Sequence, residues 1–279
     1  MTARRLGGRG LASQVRAEVA ARLRVHLARG GRAPRLVAFA VDPTGGERSY
    51  LETQARAAEA AGFAFRLEAL YPPVDTATAR ERLARLNADP EVDGVLVSWP
   101  LPPALERERV LEALDPRKDV DALSPAWLGR LAVDPTARAP ATARAVMAIL
   151  AQAGVDLGRS RVTLVGAGRT AGLPTLLMLL GAGAQVHVVH RPEHGVEAAV
   201  RDADVVVAAA GRPGVVSASA LRPGAVVVDV GVTEVEGRLL GDVAGEVAAV
   251  ASAYTPVPGG VGPVTVSYLL LNALEAVGA

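Results

Sequence analysis

The chain contains no cysteine, which excludes disulfides, thiolate nucleophiles and cysteine-ligated metals from anything it does. Aromatic residues make up 3%, so a ring placed against a ligand comes from a short supply. Lysine is scarcer still: of thirty lysines and arginines, only Lys118 is a lysine. A genome biased toward Arg, Ala and Gly codons accounts for this, and under that bias a lost lysine is ordinarily replaced by arginine. Long apolar runs are missing too. The Ala/Val-rich stretches near 203–211 and 243–251 are too short to span a bilayer, so no membrane partner is expected. Nor is there an excess of one charge, and a formal net charge of +1 argues against nucleic acid as the main partner. The basic, Gly-rich Met1 to Gly10 is not followed by the apolar core of a signal peptide, so a cytoplasmic setting is expected.

What is present suits a globular protein of two ordinary domains: 279 residues, 50% apolar and 21% charged. Val15, Val19, Leu23 and Leu27 recur at four-residue spacing and predict an amphipathic helix from Leu11 to Leu27. Arg35 to Val41 reads as a buried strand closed by the turn residues Asp42 to Gly46, and Ser49 to Ala61 as a helix stopped by Gly62. Strand, helix and strand follow at Phe63 to Leu70, Thr76 to Asn87 and Gly94 to Trp99, a rhythm that implies a mostly parallel sheet. It breaks at the Pro-rich, polar Ala132 to Pro140; a helix from Ala141 to Ala153 then opens a second series of strand–helix units. A last helix, Thr265 to Val277, is placed to return to the first domain. The expected fold class is therefore α/β with two domains: 1–137 plus 264–279, and a Rossmann-like domain over 138–263.

The second domain opens with the strand Arg161 to Val165, the glycine-rich turn Gly166-Ala167-Gly168-Arg-Thr-Ala-Gly172 and an apolar helix through Leu180. Such a turn suits a pyrophosphate, because glycine lets the backbone approach and a helix N-terminus offers free N–H groups. The spacing is Gly-x-Gly-x-x-x-Gly, and a purely structural turn remains open. The next strand, Gln185 to Val189, ends at His190-Arg191, where an NAD site would often place an acidic residue. Arg191 suits a phosphate and favours NADP, with NAD, or an ordinary surface arginine, still open. Strands at Ala203 to Ala209 and Ala225 to Val230 end in the turns Gly211-Arg-Pro213-Gly214 and Asp229-Val-Gly231-Val232, both candidate cofactor contacts. The histidines His26, His187, His190 and His194 lie in no nucleophile-elbow context, and no metal-ligand spacing is present.

Thr255-Pro-Val-Pro258-Gly259-Gly260-Val-Gly-Pro263-Val264-Thr265 is similar to the second signature of the methylenetetrahydrofolate dehydrogenase/methenyltetrahydrofolate cyclohydrolase family, with only a methionine replaced, by Val264. Ser49-Tyr50, Val92 to Val97 with Pro100-Leu-Pro102, Lys118-Asp-Val-Asp121 and Gly241-Asp-Val243 resemble the same family in order along nearly the whole chain. The resemblance implies a homodimer formed through the cofactor domains, a tetrahydrofolate substrate and a site that includes Tyr50, Gln54, Ser98 and Asp121. Tyr50 would stack on the folate and Asp121 would accept hydrogen bonds from the pterin. Pro258, Gly259, Gly260 and Pro263 would shape the loop where the pterin meets the nicotinamide. Read alone, Tyr50 is equally a helix-surface tyrosine and Asp121 a turn aspartate.

Three positions depart from the family pattern. Gln54 stands where its catalytic lysine would be, Ser98 where a glutamine would be, and Gly166-Ala167-Gly168 where Gly-Arg-Ser would be. Arg56 is no substitute for the lysine, since two residues along a helix is a rotation of about 200°. Hydride transfer from the methylene carbon is driven by the folate's own nitrogen lone pair, and needs chiefly that two ring systems be held about 3–3.5 Å apart. Hydrolysis of the methenyl product to 10-formyltetrahydrofolate needs proton transfers that glutamine cannot perform near neutral pH. The expected activity is therefore an NADP-dependent dehydrogenase with hydrolysis lost or weak. A catalytically degenerate folate- and dinucleotide-binding homologue, or a bifunctional enzyme using another group in the lysine's place, stays open.

Overall fold

The computed structural model describes residues 3–192 and 195–279, so His194 lies outside the described residues. The chain forms two compact units, one of Gln14–Arg130 with Val266–Ala279, the other of Met1–Ser13 with Leu131–Thr265.

In the first unit three parallel strands lie in the order Ala64–Leu70, Arg35–Val41, Gly94–Val97. The middle strand is buried along nearly its whole length, as its unbroken apolar run requires when both neighbours are strands and both faces are covered. The edge strand is half exposed and charged: Arg66 and Arg82 both pair with Glu68, at 2.9 and 3.1 Å, which blunts an open ladder. The helix Gly45–Ala60 starts four residues before the expected Ser49. Thr44 and Glu47 close a capping box, the Thr44 N–H donating to Glu47 Oε2 at 2.7 Å, so Gly45 and Gly46 become a first turn instead of a loop. In the helix Gly8–Ala28, Val15, Val19 and Leu23 are buried as the spacing predicts, but Leu27 is 44% exposed. A strict four-residue repeat advances about 40° per step around a 3.6-residue helix, and by the third step it has left the core.

In the second unit six strands, all parallel, run in the order Arg4–Arg5, Ala253–Tyr254, Val226–Asp229, Val205–Ala208, Arg161–Val165, Gln185–Val189. The chain steps outward from Arg161–Val165 to Gln185–Val189 and then crosses to the other side, so the strand order reverses beside the glycine-rich turn. Crevices at such a reversal are where open sheets of this kind take ligands. A small antiparallel hairpin, Thr233–Val235 with Arg238–Leu240, stands apart from this sheet. The last helix, Val261–Ala276, begins before the expected Thr265, because Pro263 sits in the first turn, where no N–H is required. Its later part joins the first unit: the Arg16 guanidinium donates to Ser267 Oγ at 3.4 Å and Arg22 reaches Glu275 at 4.0 Å. Among the described residues no helix is long and apolar enough to cross a membrane.

Candidate functional site

The capping box at Thr44 sets the register of the helix that carries Tyr50 and Gln54 four residues apart, on one face. Gln54 is 5% exposed, whereas Arg56 is exposed and tied to its own helix through Thr53 and Glu52, so the arginine does not enter the site. Tyr50 is 44% exposed as a residue, while burial desolvates its hydroxyl. That burial and then the negative charge of Asp121 push the phenol up to about 12, against which a hydrogen bond with Gln54 works. Tyr50 is thus a neutral phenol on a residue that is nearly half exposed. The Gln54 carbonyl oxygen, Oε1, is buried and has no hydrogen-bond partner among the described residues, so the bond to Tyr50 is made by the amide N–H group.

Asp121 is half buried and its loop is fixed at several points. Val95 N–H donates to the Lys118 carbonyl at 2.7 Å, Ser124 N–H to Asp119 Oδ2 at 2.7 Å, and the buried Asn272 amide to the Val120 carbonyl at 2.9 Å. Burial raises the Asp119 carboxyl above its ordinary range, so this neighbour is a packed turn-former. The one lysine is also structural: Lys118 Nζ caps the carbonyls of Leu86 and Asp89 at 3.0 and 2.7 Å, at the end of the helix Thr76–Ala88. Ser98 is half buried at the end of its strand, its N–H donating to the Phe39 carbonyl at 2.8 Å.

In the second unit Gly166, Ala167 and Gly168 line a cavity of about 610 Å³ with His190 and Arg191, both exposed at the end of the neighbouring strand. Ala209, Ala210 and Arg212 line its other side. Gly166 has φ +88°, and an added Cβ would meet the Ala209 carbonyl at 2.6 Å. At Gly172 an added Cβ would overlap the Gly166 carbonyl oxygen, whereas at Gly168 it would meet nothing within 4 Å. Two of the three glycines are therefore demanded by packing, and the third opens on the cavity. Gly211 and Pro213 are exposed, Gly231 is buried and Val232 is 54% exposed. Pro258, Gly259 and Gly260 precede the last helix: Gly8 N–H donates to the Gly259 carbonyl at 2.9 Å, and a Cβ at Gly260 would sit 2.7 Å from the Pro256 carbonyl. Pro263 lies in that helix's first turn.

Two buried carboxylates stand beside the cavity loop: Asp229 opens a turn expected to contact the cofactor, whereas Asp242 was singled out only within a stretch resembling the family. Asp229 accepts from Gly231, Asp242 and Val243 N–H groups at 3.1, 3.0 and 2.9 Å, and Asp242 accepts from Ala210, Gly211 and Arg212 at 2.5, 3.0 and 2.7 Å. Burial pushes Asp229 up to about 6 despite these bonds, and raises Asp242 as well. The available signal was an aspartate ending an all-valine strand at the carboxyl edge of a parallel sheet.

The profile described as tetrahydrofolate dehydrogenase/cyclohydrolase, catalytic domain, matches residues 6–121, and that for the NAD(P)-binding domain matches residues 140–279. The chain belongs to the tetrahydrofolate dehydrogenase/cyclohydrolase family. A family member of Thermus thermophilus named bifunctional protein FolD is 42% identical over 99% of this chain and 96% of its own length. Another of that name from Acidiphilium cryptum is 41% identical over 100% and 99%. The crystal structure of Trypanosoma brucei N5,N10-methylenetetrahydrofolate dehydrogenase-cyclohydrolase, complexed with NADP and an inhibitor, superposes with a TM-score of 0.92 at 35% identity, covering 99% of this chain and 97% of that one. This family membership gives the second unit its dinucleotide. A cavity walled by a glycine turn too tight for a Cβ, with Arg191 at its rim, fits such a ligand.

Proposed function

We propose that this protein oxidises 5,10-methylenetetrahydrofolate to 5,10-methenyltetrahydrofolate with NADP, and that hydrolysis of the product to 10-formyltetrahydrofolate is weak or lost. The single observation carrying the second half is Gln54: a buried amide bonded to Tyr50, its oxygen unpartnered among the described residues, where an ionisable group would have to work. The bound dinucleotide supplies the hydride acceptor. Gly166, Ala167, Gly168 and Gly172 hold its phosphates at the helix N-terminus, with His190, Arg191 and the turns carrying Gly211, Pro213, Gly231 and Val232 as further contacts; Arg191 is the cation that favours NADP over NAD.

Tyr50 offers its exposed face to the folate ring system, and Asp121 accepts from pterin N–H groups. Pro258, Gly259, Gly260 and Pro263 shape the loop on which the pterin rests. Gln54 Oε1 takes one donor from the substrate or an ordered water, and Ser98 contributes a hydroxyl where the family pattern has an amide. None of these groups is asked to move a proton, and oxidation requires none to do so, since the folate nitrogen lone pair drives departure of the hydride. Water attack on the methenyl carbon does require proton transfer, and an amide is inert in that role. A homodimer belongs to the same proposal, supported by exposed Val235, Leu239 and Leu240 on the hairpin of the cofactor unit. So does a cytoplasmic setting.

The test is a pair of assays on purified protein with a Gln54→Lys variant alongside. NADP reduction should be measurable in the wild type while methenyltetrahydrofolate decays no faster than in buffer, and the variant should accelerate that decay at least tenfold. Enzymic decay in the wild type equal to its dehydrogenase rate would refute the loss of hydrolysis. Turnover of neither substrate, with saturable NADP binding intact, would make the chain a binding protein instead.

A further inference from the structure

Asp242 and Asp229 lie one behind the other at the carboxyl edge of the second sheet. Three consecutive backbone N–H groups, from Ala210, Gly211 and Arg212, converge on the Asp242 carboxylate, and Ala210 and Arg212 both line the nucleotide cavity. Ala210 also forms the surface against which Gly166 packs without room for a Cβ. Position therefore passes from one carboxylate to both walls of the cavity. Asp242 is held in turn by Asp229, which accepts its backbone N–H at 3.0 Å and that of Val243 at 2.9 Å, and whose own N–H donates to Thr255 Oγ1 at 2.7 Å.

The glycines around the pair are reciprocal. A Cβ at Gly231 would overlap the Asp242 carboxylate and one at Gly241 would overlap that of Asp229. Each aspartate is thus seated against a glycine adjacent to the other's segment. Two buried carboxylates so close, beside a cavity for an anionic ligand, are costly unless their charge is met by several N–H donors, and here six are supplied. A neutral amide at either position would set an N–H group against backbone donors.

We propose that Asp242 is the positioning residue for NADP, holding the 210–212 loop in its binding shape, and that Asp229 acts on that loop only through Asp242. This rests on the reading of the cavity as the NADP site. Asp242 touches no substrate in this account; it orders the loop, so its loss raises the NADP dissociation constant and KM more than it lowers kcat.

The experiment measures NADP binding by isothermal titration calorimetry, and KM and kcat separately, for the wild type, Asp242→Asn, Asp229→Asn and the double variant. Expected are a rise of at least tenfold in the NADP dissociation constant for Asp242→Asn, a smaller rise for Asp229→Asn, and a double variant no worse than Asp242→Asn alone, since the two act in series. Far-ultraviolet circular dichroism and the folate KM should stay near wild type. Gly231→Ala, which displaces the Asp242 carboxylate without changing any charge, provides a second route if Asp242→Asn does not fold, and should weaken NADP binding likewise. Wild-type affinity in Asp242→Asn or Gly231→Ala, or multiplying effects in the double variant, would overturn the relay. Wild-type protein that binds no NADP would instead remove the reading of the cavity.

Discussion

At the scale of the residue, Gln54 and Asp229 are buried polar groups of opposite kinds. Gln54 cannot titrate, and its oxygen, unpartnered among the described residues, costs folding stability, of order 1–3 kcal/mol, that a ligand donor can recover. Asp229 can titrate, and its folded carboxyl sits at about 6, above the ordinary 3.8. A raised folded value means the native state binds the proton more tightly than the unfolded chain. The stability this contributes is complete below pH 4 and is lost as pH rises through about 6. At about 1.4 kcal/mol per unit the loss is about 3 kcal/mol. The prediction is that urea unfolding free energies of the wild type minus those of Asp229→Asn fall by that order between pH 4 and 7. A difference that is flat with pH would show that Asp229 has an ordinary carboxyl. Neither role was legible in the residue alone: a glutamine at a lysine's position is visible in a sequence, but its orphaned oxygen is not, and Asp229 reads as the start of a cofactor-facing turn without showing that its carboxyl is buried.

At the scale of the element, local chemistry foretold most boundaries. The strands Arg35–Val41, Arg161–Val165 and Gln185–Val189 and the helix Ala141–Ala153 have the limits that their apolar runs and flanking breakers suggest. Errors fell at the helix starts, where capping side chains and tolerance for Gly and Pro in a first turn admitted residues that look like loop. The glycine turn tests how far such local reading reaches. Gly168→Ser meets open space and restores a hydroxyl to the phosphate side, so its KM for NADP should drop by on the order of tenfold, the worth of one hydrogen bond to a charged group. Gly172→Ala meets the Gly166 carbonyl and should cost about 1–3 kcal/mol of stability in thermal unfolding, with NADP binding impaired. If both substitutions behaved alike, the packing distinction between these glycines would be wrong.

At the scale of the whole molecule, the hairpin Thr233–Val235 with Arg238–Leu240 leaves Val235 and Leu240 on one face and Leu239 on the other, each at least 40% exposed. The proposed homodimer predicts that light scattering behind size exclusion gives twice the chain mass for the wild type and the chain mass for a Leu239→Glu, Leu240→Glu double variant. A monomeric wild type would leave this hairpin to some other partner. Two assignments at this scale needed coordinates. The two-residue strand Arg4–Arg5 joins the far edge of the second sheet beside Ala253–Tyr254, and Asn272, far along the last helix, clamps the loop of Asp121 through the Val120 carbonyl.

The α/β alternation, the glycine turn at the head of the second sheet, the absence of thiol chemistry and, through the motifs, the family all follow from the amino-acid sequence. All of these depend on residues near one another in the chain, where periodicity, turn propensity and backbone freedom act directly. It took the folded chain to show that Tyr50 meets the charge of Asp121 about seventy residues on, that Lys118 is spent on a helix end, and that Asp229 and Asp242 stand behind the cavity loop. Burial and hydrogen bonding between distant segments arise when the sheets close, and no local pattern encodes which buried carboxylate will face which backbone donor.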